Sequence, residues 1–139
     1  VTLSGGTLTV PAGVTSFTVT YATVNDTIFE PTETTALTVG GVTGVGSIVD
    51  NDPVPTISSV SAASVTEGGN LVHTVNLSNA SSTATTFAYS LSGTTATAGT
   101  DFNTTATFSN GVTLSGGTLT VPAGVTSFTV TYATVNDTI

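Results

Sequence analysis

The sequence predicts an all-β protein, an antiparallel β-sandwich, on three observations. Thr occupies 34 and Val 19 of the 139 positions, while Met and Trp are absent. Side chains branched at Cβ are stiff at χ1 and fit the pleated surface of a strand better than a helix. Apolar and polar residues alternate with period two in several segments, and no segment of useful length carries a helical period. Glycine pairs, Asn and Pro punctuate these segments at the spacing of turns. A mean hydropathy of +0.40 with only 6% charged residues separates the chain from disordered sequences, which combine low hydrophobicity with abundant charge.

The organisation is that of a tandem repeat. Val1 to Ile28 recurs letter for letter at Val112 to Ile139, an offset of 111 residues. A match over 28 positions is not chance, so the expected architecture is an array of near-identical units of single-domain size. Asp50 to Pro55 (DNDPVP) breaks the strand pattern on both sides with two prolines and reads as the linker. Residues 1–52 are then the C-terminal part of one unit, and residues 53–139 are most of the next. That second unit has no version of Phe29 to Asp50 of its own. The parent chain is expected to continue beyond both ends, or residues 29–50 of one molecule to complete residues 53–139 of another, head to tail.

The strands follow in order. Ser16 to Val24 puts Phe17, Val19 and Tyr21 on one face and Thr18, Thr20 and Ala22 on the other, and Ser127 to Val135 repeats it. Thr35, Leu37 and Val39 alternate after Glu33, and Gly46 to Val49 forms a short last strand before the linker. Leu71, His73, Val75 and Leu77 share a face, as do Phe87, Tyr89 and Leu91. The pairs Gly5-Gly6, Gly40-Gly41, Gly68-Gly69 and Gly116-Gly117 fall between strands and read as hairpin turns, not phosphate cradles. About seven strands per unit, separated by turn signals, suit a sandwich.

Charge excludes several functions. The chain has no Lys or Arg, eight Asp plus Glu and a net charge of −8, so nothing in it can meet a nucleic-acid backbone or an anionic membrane surface. No apolar run is long enough to span a bilayer. The lack of Cys removes disulfides and thiolate metal sites. His73 has neither a Cys nor a second His beside it in the sequence and is expected to be a structural residue of the core face. No G-x-S-x-G elbow is present, and no enzyme is expected. Asn25, Asn76, Asn79, Asn103 and Asn136 each begin an N-x-S/T triplet, which matters only in a glycosylating host.

The eight acids are Asp26, Glu30, Glu33, Asp50, Asp52, Glu67, Asp101 and Asp137. All fall at turns, strand ends or the linker. One reading makes them ordinary solvated turn residues. The other starts from seven carboxylates per period without a single cation, which repel one another unless a metal joins them. Calcium fits, because it takes six to eight oxygen ligands in flexible geometry.

The order of these acids resembles the Calx-beta family. Val65-Thr-Glu67-Gly-Gly, Gly99-Thr-Asp101-Phe, Val24-Asn-Asp26-Thr-Ile-Phe-Glu30-Pro-Thr-Glu33 and Ile48-Val-Asp50-Asn-Asp52 together look like its motif series over a whole period. The resemblance implies an immunoglobulin-like antiparallel sandwich of about seven strands. It also implies calcium held in loops at one end by Glu67, Asp101, Asp26 and its copy Asp137, Glu30, Glu33, Asp50 and Asp52. Arrays of this kind resemble the extender regions of giant bacterial (RTX-type) surface adhesins. The implied function is a calcium-stiffened structural repeat outside the cell, with neighbouring repeats as partners. The alternative is a binding module that uses its Thr-rich face or an open strand edge to engage a ligand or another subunit.

Overall fold

The computed structural model describes residues 1–139 as strands, turns and extended segments without a helix. Eleven strands occur in chain order: β1 (Thr2–Ser4), β2 (Thr7–Thr9), β3 (Glu33–Val39), β4 (Val42–Ile48), β5 (Ile57–Val60), β6 (Asn70–Leu77), β7 (Thr85–Ala88), β8 (Thr107–Phe108), β9 (Thr113–Ser115), β10 (Thr118–Val121) and β11 (Ser127–Ala133). Every strand pairing is antiparallel.

Residues 57–133 make two sheets, ordered β5-β6-β11-β8 and β7-β10-β9. The alternation in the sequence decides what lies between them. Val75 and Leu77 from β6, Leu119 and Val121 from β10, and Phe128 and Val130 from β11 join Val112 in one buried cluster. Each such side chain contributes about 1.5–3 kcal/mol by leaving water. His73 sits on the same face as expected. Its Nδ1 lies 2.8 Å from the carbonyl of Ser61 and its Nε2 2.9 Å from Tyr132 Oη, with the two rings stacked.

Residues 1–48 form two separate hairpins, β1–β2 and β3–β4. Gly5-Gly6, Gly40-Gly41 and Gly116-Gly117 turn the hairpins with φ near 56–58° at the first residue and 78–80° at the second. Two successive left-handed residues give a turn whose twist matches that of paired strands, and glycine adopts it without strain.

Two expectations are corrected. Ser16 to Val24 makes no ladder at all, although its copy is β11. The copy is flanked by β6 and β8, and the first occurrence has no such neighbours to satisfy its backbone. The identical residues consequently differ in burial: Phe17 is 39% exposed and Phe128 1%, Val10 43% and Val121 0%. The last strand before the linker is also longer than Gly46 to Val49. It runs from Val42 to Ile48 and pairs with β3 from Val39↔Val42 to Glu33↔Ile48.

The two halves meet at a defined joint. Phe29 N–H donates to Ala80 O and Ser82 N–H to Phe29 O, each at 2.9 Å, so Phe29 bridges Ser81 in parallel. Asn79 Nδ2 donates to Pro53 O at 2.8 Å, and Pro55 is buried.

Candidate metal centre

The hairpin β3–β4 positions the first group of acids. Its open end, the pair Glu33↔Ile48, faces the chain entering from Asp26 and leaving through Asp52. Asp26 Oδ1 accepts from Ile28 N–H at 2.9 Å, a local turn that Asp residues favour. Asp137 makes the same turn with Ile139 N–H at 3.0 Å. Asp50 Oδ2 accepts from Glu30 N–H at 2.9 Å and ties the two sides of the hairpin mouth together. Asn51 Nδ2 donates to Asn25 Oδ1 at 2.9 Å across the same mouth.

Asp26, Glu30, Glu33, Asp50 and Asp52 thereby line one polar cavity of about 110 Å³. Its electrostatics are those of crowded anions. Partial burial raises the Glu30 carboxyl above its ordinary value, followed by the charges of Asp26 and Glu33, a carboxyl hydrogen bond with Asp26 and the charge of Asp50. Partial burial likewise raises Asp52, followed by the nearby carboxylates of Asp50 and then Asp26. Asp52 Oδ2 is buried without a hydrogen-bond partner. A buried carboxylate oxygen with no donor is costly, and a cation is one way to satisfy it.

The remaining acids lie at the far end of the second half. Glu67 and Asp101 line one shallow cleft with Thr134 and Val135. Gly68 N–H donates to Thr134 Oγ1 at 2.9 Å, and Val135 N–H to Asp101 O at 2.8 Å. Asn136, the residue before Asp137, packs beside Gly68. The structure therefore brings five of the eight acids together at the joint and places Glu67, Asp101 and Asp137 at the opposite end of β6. No three or more His, Cys, Asp or Glu side chains already converge as ligands around a common point.

The duplication relates the two groups. Thr134 to Asp137 is the sequence copy of Thr23 to Asp26. Glu67 and Asp101 approach this stretch from one side in the second half, and Glu30, Glu33, Asp50 and Asp52 surround its copy in the first. Asn51, which the sequence places with Asp50 and Asp52 at the linker, closes the cavity mouth through its bond to Asn25.

Compared with known protein families, with curated proteins and with solved structures, the chain matches none. No helix is long and apolar enough to cross a membrane.

Proposed function

We propose that the chain is a piece of a calcium-stiffened extender: an immunoglobulin-like, Calx-beta-type repeat of a large bacterial surface protein, in which calcium at the acid cluster rigidifies each unit and its joint. The observation that carries this reading is the placement of the two acid groups about one duplicated segment, Thr23 to Asp26 and Thr134 to Asp137. Glu30, Glu33, Asp50 and Asp52 share a cavity with Asp26, and Glu67 and Asp101 share a cleft with Thr134 and Val135, in the copy of that segment that ends at Asp137. Carboxylates so gathered, with no Lys or Arg in the chain, suit a hard cation that accepts six to eight oxygens. The position of the cluster at the joint suits a spacer, because a cation there fixes the angle between successive units. Export into a calcium-rich medium would then couple binding to folding.

The experiment is a thermal melt of the chain in calcium and in chelator. A ligand that binds only the folded state adds about 2.7 kcal/mol at a hundred times its Kd, which for a domain of this size is a rise in Tm of roughly 10 °C or more. Equal melting temperatures in the two conditions would remove calcium from the account.

A further inference from the structure

The corner between β8 and β9 holds the chain's one Asn-Gly pair, Asn110-Gly111. β8 belongs to one sheet of the second half and β9 to the other, so this turn carries the chain across the sandwich. Asn110 is the only residue other than glycine with a left-handed backbone, φ 55°, and Gly111 follows at 74°. Val112 N–H donates to Ser109 O at 3.2 Å and closes a turn with two left-handed residues at its centre, for which Asn-Gly is a favoured pair. The same pair is chemically labile in an open chain, because glycine has no side chain to shield its nitrogen from the preceding amide. We propose that Asn110 is a self-modification site that the fold keeps shut: the closed turn holds the Asn110 amide away from the Gly111 nitrogen, and opening the turn lets the two react and converts Asn110 to an acid.

The reaction needs only water. The Gly111 nitrogen loses its proton and bonds to Cγ of Asn110, the Cγ–Nδ2 bond breaks, and ammonia leaves with that proton, so that a five-membered imide remains. Water then opens the imide at either carbonyl. Opening at Cγ gives an aspartyl residue; opening at the main-chain carbonyl gives an isoaspartyl link, which puts one more carbon in the backbone. Three features keep the first step from starting in the folded chain. Ring closure needs Cβ of Asn110 and the nitrogen of Gly111 on the same side of the Cα–C bond, whereas a turn of this type sets them nearly opposite. Nδ2, the leaving nitrogen, donates to Ser127 O at 2.7 Å, which draws the side chain toward β11. Ser109 anchors the base of the turn, its N–H donating to Thr129 O at 3.1 Å and its Oγ accepting from Thr129 N–H at 2.7 Å. Asn110 and Gly111 are themselves exposed, so water reaches them and conformation is the barrier.

The product does not fit the place it came from. The aspartyl form sets a carboxylate oxygen where Nδ2 now stands, against the carbonyl of Ser127, and loses the bond between them. The isoaspartyl form lengthens the chain just before Val112, a residue of the buried cluster, in a turn whose Gly111 already lies against Pro122. A chain that has reacted while open therefore refolds to a weaker corner, and time spent unfolded becomes a loss that refolding does not undo.

The test uses the full chain, aged at mildly alkaline pH either folded or opened in urea. Chymotrypsin, cutting after Phe108 and Leu114, then frees Ser109 to Leu114, in which mass analysis reads the change of amide to acid. The folded chain should convert about tenfold more slowly than the open one, or slower still, because only its transiently opened fraction reacts. Ser109→Ala removes an anchor without touching the reacting pair. Under conditions where its own urea melt shows it folded, it should convert faster than the natural chain, and in urea at the same rate. Refolding yield after timed exposure to urea, followed by tyrosine fluorescence, should decline for the natural chain and stay level for Asn110→Gly, which keeps the left-handed turn but has no amide. Equal conversion in the folded and open chains, a folded-state rate unmoved by Ser109→Ala, or the same decline in Asn110→Gly would each overturn the proposal.

Discussion

Glu30 and Asp52 show how a single carboxyl reports on its surroundings. Both are raised by burial and by neighbouring anions, so the folded chain binds their protons more tightly than the unfolded chain does. Their contribution to stability is therefore fully present below the ordinary values, 4.5 for Glu30 and 3.8 for Asp52, and is lost as pH rises through the raised ones. The Tm of the cation-free chain should fall as pH climbs from about 4 toward neutrality. Calcium should reverse that slope, since protons compete with it for the same oxygens; a Tm that rises with pH in chelator would contradict the repulsion account. Asp50 touches the same balance from the other side. Asp50→Asn keeps an oxygen for Glu30 N–H while removing one charge, so the cation-free chain should become more stable. Its calcium affinity, followed by titration calorimetry, should drop by about tenfold, the equivalent of 1.4 kcal/mol.

At the scale of the element, the two copies of one segment separate intrinsic preference from context. Phe128→Ala should cost about 3–5 kcal/mol, as large core truncations do, whereas Phe17→Ala should cost under about 1 kcal/mol. Urea melts of the two variants read the difference, and equal losses would mean that the first copy is as well packed as the second. The comparison also explains what was legible beforehand. The alternation of Ser127 to Val135 names the inward residues of β11 correctly, because a period-two pattern with one buried face has one register that works. The same letters at Ser16 to Val24 invite the same strand, and none forms, because a ladder needs neighbours that local sequence does not contain. The strand β4 exceeds its sequence pattern for a different reason: Gly44 and Gly46 interrupt its apolar alternation, and only pairing with β3 reveals its length. The acids were legible as a set from charge alone. Their division into five at the joint and three at the far end was not, since it follows from which sheet each turn caps.

For the whole molecule, the joint is where the acid cavity and the interdomain contact coincide. In calcium, Asp50→Ala with Asp52→Ala should broaden the distribution of particle dimensions in small-angle scattering, while the Phe29 bridge to Ser81 keeps the halves associated; unchanged dimensions would leave those acids as solvated turn residues. The orientation of the strands has a consequence of its own once the chain is pulled. β5 enters the second half at the joint and β11 leaves it at the far end, with β6 between and antiparallel to both. Tension along the chain therefore loads those ladders in shear, and their hydrogen bonds, perpendicular to the strands, must fail together. The hairpin β3–β4 is gripped differently. Both of its strands are drawn from the same end, so it unzips one pair at a time, beginning at Glu33↔Ile48. That first pair lies at the acid cavity, and a cation bridging Glu33 and Asp50 would act as a clasp on the link that tension must open first.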